Sequence, residues 1–391
     1  METERKDLGC SYQSLVLQHG QHGAREPFLK LLVTGDDYRS VLLTYRPQIV
    51  QDKWLHRTIV ARAIHLEPNY TGQLDMCLSL CAYPHVLTDR QQKECLRRAV
   101  DLMQDTEQAL HFHQHIWGSD DFDLRHIAER SGIPAYLGNK MVTMCPDLTV
   151  SIGVLRKGSF LRDKTLTILF EHALGQAKTT TDCYSLPIYA SDADQLFIHR
   201  AERAYTLART YEDFVLVFDN AHGVQRLKKQ SYRNICRLAN QEQLKGALFG
   251  RISRDATKNC VPIGIAFMPR ILEDITDVDT ALEYHRISSE DCLDHFQDVT
   301  NKVMLYHALA LCKNLDDVIK IIAEFAGDHR DEFHFKGTKS RYMGQWKDIW
   351  RKALSFTKTP DDAERLRTKI PYENIEYFEH TLRMHEKKFT K

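Results

Sequence analysis

Apolar residues recur at helical intervals over the first third of the chain. They dominate the stretch from Asp37 to Leu66, and Cys95, Ala99, Leu102, Met103, Thr106 and Leu110 continue the period. The spacing predicts helices over residues 1–146, with short breaks at Tyr-Pro-His (83–85) and Gly-Ile-Pro (132–134). The pattern changes near Met144. DLTVSIGVL (147–155) is rich in β-branched residues and reads as a strand, and LTILFEHAL (166–174) fits helix or strand. ASDAD (190–194) signals a turn before the short apolar run QLFIH (195–199). FVLVFDN (214–220) has five apolar residues in succession, as in a strand buried on both faces, and ALF (247–249) fits another. From Asp291 the helical period returns through Leu293, Phe296, Val303, Leu305 and Leu309. NLDDVIKIIAEFAG (314–327) has an Asn cap, acidic residues in its first turn and a terminal glycine. The charged tail is helix-prone, and no internal repeat stands out. The expected plan is α+β, with a helical region 1–146, an α/β core 147–285 and a helical region 286–391.

Composition narrows the classes. The chain has 391 residues, 43% hydrophobic and 27% charged, with 53 basic and 53 acidic side chains. That length supports two domains, or one with large additions. A net charge of zero argues against non-specific binding to nucleic acid or anionic membranes as the main task. No run of 18 apolar residues occurs, so no membrane span is expected. The opening METERKDLGCSYQ is too polar for a secretory signal, which points to the cytoplasm, or to a host cytosol if the protein is an injected effector. The ten cysteines then read as reduced thiols, with Cys77 and Cys81 on one apolar helical face. No CxxC pair suggests structural zinc.

One thiol stands apart. In TKNCVPIGIAFMPRILED (257–274), Pro262 suits the first turn of a helix, so Cys260 is placed at the start of a helix running toward Met268. Asn259 or Thr257 would cap it, and Pro269 would end or kink it. A thiol there faces the positive end of the helix dipole, which favours the thiolate. Two expected strands precede it, one ending in His199 and the other followed by Asp219. The order is a base, an orienting carboxylate and a nucleophile.

LFIH, FVLVFDN and NCVPIGIAF resemble the matching segments of the adenain-like cysteine peptidases. That clan includes proteases of SUMO and ubiquitin-like modifiers and the YopJ-type bacterial effectors. The resemblance spans residues 150–275. It implies a papain/adenain-like core with a His199–Asp219–Cys260 triad. The implied activity is that of a cysteine isopeptidase acting on ubiquitin or a ubiquitin-like protein through a thioester, with no cofactor and no metal. Alternatives it implies are a YopJ-type acetyltransferase using acetyl-coenzyme A and a non-catalytic adaptor keeping the fold. The chain departs from the family pattern at several places. Val261 replaces the Gly after Cys, Arg254 and Asp255 stand where an oxyanion-hole Gln is usual, and Arg200 follows the His in place of Trp. Arg251, Arg254 and Asn259 are the substitutes for that donor, and His222 is a spare base.

Three other stretches carry weaker signals. His111 and His115 lie one helical turn apart with Glu107 a turn earlier, a spacing that can hold a metal but that also suits a solvated helix face. HIAERSGIPAYLGNK (126–140) has helix-turn-helix spacing but few cations, so a plain helix pair is expected. KGTKSRYMGQWKDIWRK (336–352) interleaves cations with Tyr342, Trp346 and Trp350. The expectation is tryptophans on the core and cations in water.

Overall fold

The computed structural model describes residues 8–44, 52–81, 87–118, 122–161, 163–189, 194–291, 294–328, 343–369 and 375–387. The breaks expected at 83–85, most of the turn at 190–194 and the basic residues 336–342 lie outside them. The described residues contain helices and no β-strand. The α+β expectation, with its papain/adenain-like core, is therefore corrected to an all-α architecture.

The chain divides into two compact units, Met1–Ala204 and Tyr205–Lys391. The division falls inside a helix. In the first unit the helices are α1 (Leu8–Gly23), α2 (Arg25–Leu31), α3 (Gly35–Thr44), α4 (Lys53–Leu66), α5 (Tyr70–Cys81), α6 (Asp89–Asp101) and α7 (Thr106–Trp117). They continue with α8 (Phe122–Arg130), α9 (Ile133–Thr143), α10 (Leu148–Lys157), α11 (Asp163–Gln176), α12 (Thr180–Ser185) and α13 (Asp194–Leu207), whose last residues enter the second unit. The second unit holds α14 (Tyr211–Asn220), α15 (Gln225–Leu238), α16 (Gln241–Phe249), α17 (Arg251–Asp255) and a 3-10 turn at Lys258–Cys260. It ends with α18 (Val261–Leu272), α19 (Val278–Asp291), α20 (Asp294–Leu311), α21 (Leu315–Asp328), α22 (Met343–Phe356), α23 (Pro360–Arg367) and α24 (Ile375–Glu386).

The segments read as strands are helices because burial within them follows the helical period. In FVLVF only Phe214, Val217 and Phe218 are buried, at i, i+3 and i+4. In DLTVSIGVL the buried set is Ser151, Val154 and Leu155, at the same spacing. ALF closes α16, and QLFIH lies in α13. Each apolar run belongs to a helix, and a cap fixes the start of the helices that hold DLTVSIGVL, FVLVF and ALF. Thr210 accepts from the Asp213 amide at 3.2 Å, while the Asp213 carboxylate accepts from the Thr210 and Arg209 amides at 3.0 and 2.9 Å.

This junction recurs, and it reveals the repeat that the residue types conceal. At Thr34, Asn69, Asp105, Asp147, Thr179, Thr210, Asn240, Asp277, Asn314 and Thr359 the side-chain oxygen accepts from the amide three residues on. Asp52 and Thr88 accept in the same way at the start of α4 and α6, each the second helix of its hairpin, and the other ten caps stand 30 to 45 residues apart. Two residues before most of them sits a buried residue: Leu32, Met103, Cys145, Ala177, Ala208, Ile275, Cys312 and Thr357. Each of these ten opens the first helix of a hairpin, and the helix or helix pair that follows completes it.

A second recurrent contact joins successive hairpins within each unit. A long polar side chain of one second helix donates to a carbonyl at the end of the preceding second helix, where carbonyls lack intrahelical partners. Cys145 O accepts from His172 Nε2 and Gln176 Nε2 at 3.0 and 3.1 Å, and Ala177 O from Arg203 Nη2 at 3.2 Å. Arg270 donates to Cys236 O and Ala239 O at 2.8 and 2.9 Å. Ile275 O accepts from His307 and Thr357 O from His385, at 2.9 and 3.1 Å. Apolar packing follows the same neighbour pattern. α9 lies on α11, where Gly138 faces Ile168 so closely that a Cβ would come within 3.1 Å of it, and α18 packs on α15, α16 and α20. Both units are thus arrays in which an element touches those near it in sequence.

Candidate functional site

The three residues of the expected triad lie on helices, in two units. His199 is half-exposed on α13 in the first unit, and the carboxylate beside it is Glu171 of α11, with Nδ1 to Oε1 at 3.2 Å. The pair lines an open groove with Leu174, Gly175, Glu202 and Arg203. Asp219 is the next-to-last residue of α14 in the second unit. Cys260 closes the 3-10 turn before α18, so the helix start expected after it is present, although α18 runs past Pro269 to Leu272. Its thiol points inward. Cys260 is fully buried, and its Sγ lies 3.6 Å from Thr257 Oγ1. The side chains considered as oxyanion donors, Arg251, Arg254 and Asn259, face outward around it. His222 sits in an exposed turn beside Gly223, whose φ of 77° only glycine adopts readily. With no strand behind His199 or Asp219, the geometry that motivated the peptidase resemblance is missing.

The weaker signals resolve into structural roles. On α7, His111 Nδ1 lies 3.2 Å from Tyr70 Oη and His115 Nδ1 lies 3.2 Å from His111 O, while Glu107 pairs with Lys157. Burial, then the neighbouring His115, pushes the His111 ring below its ordinary pKa. The pair α8–α9 turns at Gly132, with φ 73°, and α9 buries Ile133, Pro134, Leu137, Gly138 and Met141. The face it leaves toward solvent carries Asn139 and Thr143, with half-buried Lys140 as its one cation. On α22, Trp346 and Trp350 pack on Phe378, with Lys347 and Arg351 outside. Cys77 and Cys95, expected as separate thiols, stand in disulfide contact between α5 and α6, their Cα atoms 5.9 Å apart.

Charge is where the structure adds most. The neutral total conceals a partition between helices. α14 carries Glu212, Asp213 and Asp219 and no cation, whereas α15 carries Arg226, Lys228, Lys229, Arg233 and Arg237 and no carboxylate. On α15 the buried residues are Leu227, Ser231, Tyr232, Ile235 and Cys236. Arg226, Lys229, Arg233 and Arg237 are exposed, in one row at successive turns. Among the described residues, Lys229, Arg233 and Arg237 have no ion-pair or hydrogen-bond partner.

The first unit repeats the register. Arg90, Lys93 and Arg97 form a row on α6, beside a groove lined also by Ile64, His65, Glu94, Arg98, Asp101 and Tyr136, so that here, unlike on α15, carboxylates accompany the cations. Arg97 stacks over the Tyr136 ring at 5.3 Å, and Tyr136 donates to Asp101 at 2.5 Å. Arg90 and Lys93 are also without partners among the described residues. The signal was present in the sequence as Lys/Arg at three- and four-residue spacing, in phase with the solvent side of each helix.

A scan against protein-family models returns no match for this chain, and a search of curated proteins returns none either. No described helix is long and apolar enough to cross a membrane.

Proposed function

We propose that this protein is a helical-hairpin repeat scaffold that binds an extended macromolecular partner through exposed side chains of its helices. The recurring cap-and-hairpin junction carries the reading. It places buried residues at fixed points of each repeat and leaves the outward positions free to vary. Arrays of this kind hold long ligands by presenting successive helices side by side. The charge row on α15 gives the second unit a face with a definite chemical character.

The test is excision in register. Removing residues 210–239 joins Arg209 to Asn240, so one cap replaces another and a complete hairpin leaves. A removal of equal length, residues 225–254, cuts two hairpins in half. The scaffold reading expects the first variant to stay soluble and helical by circular dichroism and to keep the parent's unfolding profile, and the second to lose helicity and that profile. Equal damage from both would overturn it. The isopeptidase reading makes an opposed forecast for ubiquitin bearing a C-terminal propargylamide. The scaffold reading expects no adduct that Cys260→Ala abolishes.

A further inference from the structure

The partition of charge asks what the α15 row faces. Like charges one turn apart on a helix destabilise it. Lys229, Arg233 and Arg237 incur that cost with no compensating carboxylate among the described residues. A counter-charge from outside the chain removes the penalty. We propose that the exposed face of α15 binds the phosphate backbone of a nucleic-acid strand. This rests on the scaffold reading above and names the class of its partner.

Spacing and composition favour a phosphate chain over an acidic protein surface. At 1.5 Å per residue, Lys229, Arg233 and Arg237 succeed one another by about 6 Å along the helix. A stacked strand advances about 3.4 Å per nucleotide, so every second phosphate falls near each cation. The row is flanked by Gln225, Gln230 and Asn234, neutral groups of the kind that also contact phosphate and sugar. A protein–protein interface centres on desolvated aromatic and aliphatic anchors. This face offers only Leu238, 39% exposed at the end of the helix, while Leu227, Tyr232 and Ile235 are buried. The row on α6 shows the same three-and-four spacing, with the aromatic ring of Tyr136 beside it. Backbone binding of this type depends on charge, not base sequence, and weakens steeply with salt.

The experiment is fluorescence polarisation of the full chain with labelled 20-nucleotide oligo-U, oligo-dT and a 20-base-pair duplex, at several salt concentrations from 50 to 200 mM. It is repeated with the triple variant Lys229→Gln, Arg233→Gln, Arg237→Gln, and with Arg125→Gln, which removes an exposed cation already paired with Glu129. The expected result is binding of at least one oligonucleotide. The triple variant should lose about tenfold in affinity at 100 mM salt, and its log–log salt slope should be shallower by about 2, while Arg125→Gln leaves both unchanged. The three ligands show whether RNA, single-stranded DNA or duplex supplies the phosphates. An unchanged slope in a triple variant with wild-type circular dichroism would overturn the proposal. So would tighter binding of polyglutamate than of any oligonucleotide, which would assign the face to an acidic protein, or no oligonucleotide binding at 50 mM salt. None of these outcomes touches the scaffold reading if the in-register excision still folds.

Discussion

Single residues show how far local chemistry can mislead or inform. Cys260 has the sequence setting of an activated thiol, but the inward turn of the 3-10 segment buries it completely. Reactivity needs access as well as a favourable helix end. Other thiols are suppressed by burial itself, which pushes Cys183 and Cys312 up to about 11 and Cys236 up to about 12. Iodoacetamide at neutral pH, followed by peptide mass mapping, is therefore expected to show no preferential labelling of Cys260 in the native protein. Asp52 shows the opposite case, a residue without any motif that matters structurally. Its carboxylate is 2% exposed, accepts from Arg25 Nε and Nη2 at 2.7 and 2.8 Å, and caps α4 through the Trp54 and Leu55 amides. Burial alone would raise its pKa, but the Arg25 fork and the two amides outweigh burial and hold it below the usual carboxylate range. Asp52→Ala leaves the guanidinium without its partner and is expected to cost about 3 kcal/mol in urea unfolding. Because the folded pKa is depressed, the ionic part of this stability is present above about pH 4, the unfolded value, and is lost as pH falls through the folded one. The stability gap between wild type and Asp52→Asn should be constant near neutrality and close below about pH 4.

At the scale of elements, the sequence was legible where a cap and a continuous helical period coincided. The helix expected at 314–327 is α21, Leu315–Asp328, with Asn314 accepting from the Asp317 amide at 3.0 Å. The helix after Cys260 is α18. The reading failed where apolar residues stood in unbroken succession. FVLVF looks like a strand because its partly exposed Val215 and Leu216 are as apolar as its buried neighbours. The Thr210–Asp213 pair four residues earlier carried the missing information, since that spacing belongs to a helix start. The repeat escaped notice because the recurring position is filled by Thr, Asn or Asp and the interval varies. The caps are nonetheless energetic features. Thr210→Ala and Thr359→Ala are each expected to destabilise by about 1 kcal/mol. Arg270→Ala should cost more, about 2–3 kcal/mol, because its two charged hydrogen bonds hold the end of α15 and its loss leaves two partly buried carbonyls unpaired. Thermal melts of these variants beside Arg351→Ala, an exposed cation paired only with Asp348, test the ranking.

For the whole molecule, the deciding property is that both charge and contacts are distributed locally. Composition averages over helices, so a net charge of zero hid a helix with five cations and no acid. Contacts behave alike. Helices touch neighbours close in sequence, and the chain separates into two units of nearly equal length. Stability in such an array is a sum of repeat and nearest-neighbour contributions, so nothing requires the first repeats to unfold with the last. Two-state behaviour is then not expected of the chain as a whole, and the free-energy change of each variant refers to the unfolding of the unit that holds its residue. The four tryptophans make this measurable, because Trp54 and Trp117 report on the first unit and Trp346 and Trp350 on the second. Urea titrations of a Trp54→Phe, Trp117→Phe variant and of a Trp346→Phe, Trp350→Phe variant are expected to give fluorescence midpoints that differ from each other. Far-ultraviolet circular dichroism should trace a broader curve spanning both. Arg270→Ala should move the midpoint seen by Trp346 and Trp350 and leave that of Trp54 and Trp117 in place. Coincident curves from all three probes, shifted together by Arg270→Ala, would mean that the 391 residues unfold as one cooperative body despite their local contacts.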